Sequence, residues 1–190
     1  MAIDWVKLQE KWAKKWDEHS TFQPEIESRP KYMVTFPYPY LNGFLHIGHL
    51  YTWARVDVMA RFKRLQGYNV LFPQGWHATG SALMNEAERL RIKEPIQMKK
   101  MKTMGFSEKE CKKFEDPLEW LKFFPSKAKR DLRTMGLSID WRREFLTTEL
   151  NPHYDKFIRW QFRKLKARGY VVKGKHPVVW DPKTNMPSGD

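Results

Sequence analysis

The sequence predicts an α/β fold: a parallel sheet joined by crossover helices, with one more helix at the N-terminus. Three observations carry this reading. Residues 32–36 form a short apolar, β-branched and aromatic run, the pattern of a buried strand, and residues 68–72 form another, ended by Pro73 and Gly75. Between them Ile47, Leu50, Tyr51, Ala54, Val58, Phe62 and Leu65 fall at helical spacing, and Gly67 supplies a stop. Strand, helix, strand is a right-handed crossover unit whose strands run parallel.

The remaining elements follow in chain order. Residues 4–19 read as a helix with Asp4 as N-cap and Trp5, Leu8, Trp12 and Trp16 as a packing stripe. Residues 21–30 are polar with two prolines, a linker onto the first strand. A helix follows residues 75–81, from about 82 to 93. Residues 94–115, rich in lysine and methionine, read as a mobile helical insertion. Asp116-Pro117-Leu118-Glu119 is a capping signal for a short helix carrying Trp120 and Leu121. Pro125 starts another, with Ala128, Leu132 and Met135 inward. Asp140 beside Arg142 and Arg143 reads foremost as a buried structural ion pair, and the arginines also suit a phosphate. Asn151-Pro152 opens a basic helix with Tyr154, Phe157, Ile158, Gln161, Phe162 and Leu165 on its inner side. Residues 170–173 and 177–180 read as two strands joined across Gly174-Lys175.

Composition narrows the partners. The 190 residues are 41% hydrophobic and carry 35 Lys+Arg against 22 Asp+Glu, a net charge of +13. A core of ordinary size is expected, and the charge points to an anionic partner, nucleic acid first, or to a merely basic surface. A single cysteine allows no disulfide and no thiolate zinc site within the chain, and suits a reducing compartment. No run approaches the roughly 18 apolar residues of a membrane span, so no membrane partner is expected.

The chemistry concentrates at the carboxyl ends of the strands, where parallel sheets bind ligands. Asn42-Gly43 is a turn signal. His46 and His49 stand at the helix entrance, three residues apart and on one side of its first turn. A helix N-terminus offers unpaired N–H groups and the positive end of the backbone dipole, so it attracts phosphate, and imidazole N–H groups can stabilise charge that develops there. Gly48 leaves room for a flat base to approach the backbone. His-x-x-His is also ligand spacing, but zinc needs at least three protein ligands and nothing nearby in sequence completes the set. The second segment, residues 75–81, is small, polar and glycine-flanked, suited to lining a pocket. On its chemistry alone His77 reads equally as a binding residue or as a loop histidine capped by its neighbours.

His46-Ile47-Gly48-His49, preceded by Phe36-Pro-Tyr-Pro-Tyr-Leu-Asn-Gly43, resembles the signature of class I aminoacyl-tRNA synthetases. With Gly75-Trp-His-Ala-Thr-Gly-Ser81 and the run from Phe114 to Arg143, the chain looks like the leucyl-tRNA synthetase family of archaeal and eukaryotic cytosolic type. The resemblance spans essentially all 190 residues and implies the first half of a Rossmann-like catalytic domain. On that basis residues 1–30 are an N-terminal helix and linker, 31–169 the half-domain with a helical insertion near 94–135, and 170–190 the start of a connective and editing insertion. The implied reaction is ATP-dependent activation of leucine and its ligation to tRNA(Leu) in the cytoplasm, with Mg2+ accompanying ATP. By the same resemblance His46 and His49 are catalytic and contact ATP with Asn42, Gly43 and Gly48. Phe36, Tyr38, His77, Thr79 and Ser81 surround the amino acid, His77 standing where bacterial relatives carry an acid. The family's second signature, a Lys-Met-Ser-Lys-Ser-like motif, is not in this sequence. The chain is therefore expected to be an N-terminal fragment or one piece of a split enzyme completed by a second polypeptide, inactive alone. The alternative is a non-catalytic nucleotide- or tRNA-binding module derived from it.

Overall fold

A computed structural model describes residues 3–182 and 186–187. They fall into two units, one within Met1–Asn151 and one within Pro152–Asp190. In the first unit the expected crossover forms. Strand β1 (Lys31–Met33) and strand β2 (Asn69–Leu71) lie parallel with Tyr32 opposite Val70, joined by helix α2 (Ile47–Leu65). β1 is shorter than the apolar run suggests. Val34 N–H still donates to Leu71 O at 3.0 Å, but Pro37 and Pro39 have no N–H to extend the ladder.

Gly75 does not end the second strand, as its type suggested. The chain continues through Pro73 into β3 (Gln74–Trp76), which pairs in parallel with β4 (Glu144–Leu146). Gly75 is buried there because the Tyr38 ring lies on it; a Cβ at this position would come within 2.7 Å of that ring. His77 N–H donates to Pro39 O at 3.0 Å and Thr147 N–H to Trp76 O at 3.1 Å. The run from 69 to 77 is thus the middle strand, with β1 and its extension on one edge and β4 on the other.

α2 buries a different side from the one its apolar spacing predicts. Trp53, Asp57 and Ala60 are buried, while Ile47, Tyr51, Val58, Phe62 and Leu65 are 81%, 64%, 67%, 50% and 87% exposed. A polar network selects the side. Asp57 accepts from Ser138 N–H at 2.7 Å and from Arg61 Nε at 2.8 Å, and Arg64 donates to Ser138 O at 2.9 Å. Trp53 donates to Gln74 Oε1 at 3.1 Å and stacks on Phe36.

Beyond α3 (Ala82–Arg91), residues 94–115 pack rather than dangle. α4 (Pro95–Thr103), α5 (Glu108–Cys111) and a 3-10 turn (Lys112–Glu115) bury Gln97, Met101, Cys111 and Phe114. The two helices expected around Pro125 are one, α6 (Pro117–Thr134), burying Trp120, Phe124, Ala128 and Leu132. Pro125 removes one N–H but its fixed φ suits a helix, and the apolar face runs unbroken past it. Asp140 is fully buried and paired with Arg142, Nε to Oδ1 at 3.0 Å, as the ion-pair reading expected.

α1 (Trp5–Glu18) is capped by Asp4, which accepts from Lys7 N–H at 3.1 Å. Its stripe is only partly used. Trp16 meets Phe22 and Gly136, while Trp5 and Trp12 stay exposed. In the second unit α7 (Pro152–Ala167) forms as expected, but no residue of it is buried. The two expected strands do not form, and residues 171–179 have no regular structure. Instead β5 (Trp180–Asp181) and β6 (Met186–Pro187) pair antiparallel. A two-stranded ribbon without a packed face gains little stability, which disfavours the longer pairing.

Candidate active site

The chain leaves β1 through Phe36-Pro37-Tyr38-Pro39-Tyr40 and turns into α2 at His46, whose extended backbone makes it the N-cap. The expected pairing of the histidines is present, with ring centroids 3.9 Å apart. Gly48 permits it: a Cβ there would lie 3.1 Å from the His46 ring. His46 N–H donates to His49 Nδ1 in a long bond of 3.4 Å. With Nδ1 accepting, the ring proton of neutral His49 sits on Nε2. Partial burial, and then the neighbouring His46, hold His49 below the ordinary histidine value of 6.5, so it is a neutral donor at pH 7.

Asn42, Gly43, His46 and His49 line one cleft of about 620 Å³. Its opposite wall is α4, through Ile96, Lys99, Lys100, Thr103 and Met104. This wall was not foreseen from the sequence, which suggested only an insertion. The signal was there in residues 96, 99, 100 and 103, which share one helical face. Glu86 on α3 ties the walls together, accepting from Asn42 Nδ2 at 3.3 Å and from Lys100 Nζ at 2.8 Å on the same oxygen. The lining residues include two lysines and no carboxylate, although the Glu86 carboxylate bonds two of them from behind.

The residues expected around an amino acid form a separate group. Phe36 is buried beneath α2 with its ring stacked on Trp53, centroids 4.1 Å apart, and is not among the residues lining the cleft. Tyr38 lies over Gly75 with its edge toward Phe145. His77 packs against the Tyr40 ring at 4.1 Å and stands 3.2 Å from Thr79 Oγ1. Ser81 is half-buried at the start of α3. The strand ends thus present two chain segments: one helix-headed and carrying two imidazoles, one aromatic with a single imidazole.

A parallel sheet whose first crossover helix opens on paired histidines offers an anionic ligand both a helix N-terminus and imidazole groups. Comparison with known families agrees: the chain belongs to the tRNA synthetases class I (I, L, M and V), which it matches over residues 11–189. Within that class several similar proteins are leucine enzymes. It is 50% identical over 184 residues to the Leucine--tRNA ligase of Aeropyrum pernix, covering 96% of this chain and 19% of that protein. To the Leucine--tRNA ligase of Pyrococcus abyssi it is 47% identical, over 99% of this chain and 20% of that one. Its fold matches that of LeuRS in the crystal structure of the Agrobacterium radiobacter K84 agnB2 LeuRS-tRNA-LeuAMS ternary complex, with a TM-score of 0.69 and 26% identity, over 93% of this chain and 19% of that one. The leucyl resemblance and the Rossmann-like fold are thereby borne out. The chain spans about a fifth of the length of the relatives it matches.

Proposed function

We propose that the chain supplies the nucleotide- and amino-acid-handling part of leucine activation and of leucine transfer to tRNA(Leu). The observation that carries this is the His46–His49 pair at the head of α2, beside Asn42-Gly43, at the carboxyl end of a parallel strand. In this reading the leucine carboxylate attacks the α-phosphate of ATP and pyrophosphate leaves. No side chain forms a bond; the protein contributes position and charge stabilisation. His49 Nε2–H, His46 and the free N–H groups of Ile47 and Gly48 meet the phosphates, and Gly48 lies beneath the base. Phe36, Tyr38, His77, Thr79 and Ser81 bound the amino acid. Magnesium accompanying the nucleotide would find no carboxylate ligand among the residues lining this cleft and would depend on the phosphates it neutralises.

The domain reading belongs to the same proposal: 1–30 as helix and linker, 31–169 as the half-domain and 170–190 leading toward an editing insertion, with a second polypeptide or further segment completing the site. Cys111, the single cysteine, is buried and suits the cytoplasm. The test is leucine-dependent ATP–pyrophosphate exchange, by the chain alone and with the remainder of a leucyl enzyme added. Exchange on addition supports the reading, and exchange driven by valine or isoleucine instead refutes the leucine assignment. Binding of tRNA without exchange in any combination leaves a binding module.

A further inference from the structure

We propose that Lys99 and Lys100 of α4 grip the polyphosphate of a nucleotide from the side opposite His46 and His49. This rests on the nucleotide reading above and deepens it. α4 buries Gln97 and Met101, which leaves Lys99 and Lys100 on the side lining the cleft. Across from them stands the N-terminus of a 19-residue helix with its own positive dipole end. Lysine ammonium groups facing the positive end of a helix dipole are both drawn to an anion placed between them.

The charge within reach does not balance. Lys100 is offset by Glu86 at 2.8 Å, whereas the Lys99 ammonium has no ion-pair partner among the described residues. Glu86 fixes the arrangement. It is nearly buried and takes bonds from both Asn42 and Lys100 on Oε1, while Oε2 has no partner among the described residues. A buried carboxylate left half-satisfied is costly, so its placement here is specific. It holds one ammonium and one amide at fixed positions on the two walls. The cleft, about 620 Å³, has the size of a small-molecule site and closes on a helix N-terminus, which suits phosphate groups of a nucleotide better than a passing RNA backbone.

Inorganic pyrophosphate is the probe, titrated calorimetrically into the whole chain at fixed salt. Lys99→Ala with Lys100→Ala is expected to weaken its binding at least about tenfold, the loss of one or more charge-assisted contacts. Lys99→Ala with Lys100→Gln, which keeps a hydrogen-bond donor for Glu86, guards against a merely misfolded variant and is expected to show the same loss. Lys102→Ala, on the same helix and beside Lys99 in a second cavity but not lining this cleft, is expected to bind as the unsubstituted chain does. Affinity within twofold in both lysine pairs overturns the proposal, as does an unsubstituted chain that binds no pyrophosphate. Loss of affinity for a short single-stranded RNA, with pyrophosphate binding intact, overturns it in favour of an RNA contact. Pyrophosphate binding that depends on these lysines, without leucine-dependent exchange even when the remainder of a leucyl enzyme is added, sustains this inference and sinks the activation reading.

Discussion

The two longest helices of the first unit, α2 and α6, bury themselves by different means. α6 shows its face in the sequence: Trp120, Phe124, Ala128 and Leu132 recur at fourfold spacing, with charged residues between. Hydrophobic burial selects the face that is seated. α2 is apolar on more than one side, and the side it buries carries Asp57, with Arg61 and Arg64 half-buried beside it. Hydrogen bonds to Ser138, far along the chain, choose among its faces. A helix apolar on several sides announces that it is a helix and conceals its orientation, and its seat depends on satisfied polar groups.

Paired tryptophan truncations test this most strongly. Trp53 and Trp120 are both fully buried and both donate a hydrogen bond, to Gln74 and to Phe114 O. Replacing either by alanine is expected to cost about 3–5 kcal/mol in denaturant unfolding. Only Trp53→Ala should also weaken pyrophosphate binding under native conditions, because Trp53 supports His49, their rings 6.1 Å apart. Equal binding losses in both variants would erase the distinction between the helices.

Next in size is Asp57→Ala. It leaves Ser138 N–H without its acceptor and Arg61 and Arg64 short of a counter-charge. Burial already pushes Arg64 down to about 10, with Asp57 the largest opposing influence. A loss of about 2–3 kcal/mol is expected, reduced by the partial exposure of Arg61. Asp131 on α6, whose ion pair with Arg130 is surface-exposed, is the contrast: Asp131→Ala should cost under about 1 kcal/mol.

How much could be read beforehand follows the same division. Features set by neighbours in sequence were legible: the parallel pairing, the caps at Asp4 and Asp116, the span of α2, and the His46–His49 pair. The whole of α6 was legible in its face but not in its continuity, because proline ordinarily breaks a helix. Features set by distant partners were not. Nothing near Lys99 or Lys100 says that Glu86 and Asn42 await them, and Gly75 reads as a strand end until Tyr38 is seen lying on it. Phe36 is expected beside the amino acid, and nothing in the sequence shows that its ring also stacks on Trp53.

The head of α2 supplies a smaller effect, in pH. His49 titrates below its ordinary 6.5 in the folded chain because of partial burial first and His46 second. On acidification the unfolded chain therefore takes up this proton before the folded one does. Stability from this group is complete above the unfolded midpoint and declines as the pH falls below 6.5 toward the folded value. Denaturation midpoints measured from pH 7.5 to 5.5 should fall more steeply for the unsubstituted chain than for His49→Gln. Bound pyrophosphate, an anion beside the ring, should raise the His49 midpoint in an NMR titration; an unchanged midpoint would place the anion elsewhere.

The outer side of α2 should respond least. Val58 and Phe62 lie on the apolar stripe that the spacing alone would have turned inward, yet they are 67% and 50% exposed. Exposed substitutions away from caps and networks usually fall within about 0.5 kcal/mol. Val58→Lys and Phe62→Lys are thus expected to leave unfolding of this chain nearly unchanged, as Lys122→Ala on the exposed side of α6 should. A loss above about 1.5 kcal/mol at Phe62 would mean that this side is covered when the chain folds, by the mechanism that seats α6. Apolar burial would then act on both sides of α2, and the Asp57–Ser138 network would cease to be what orients it.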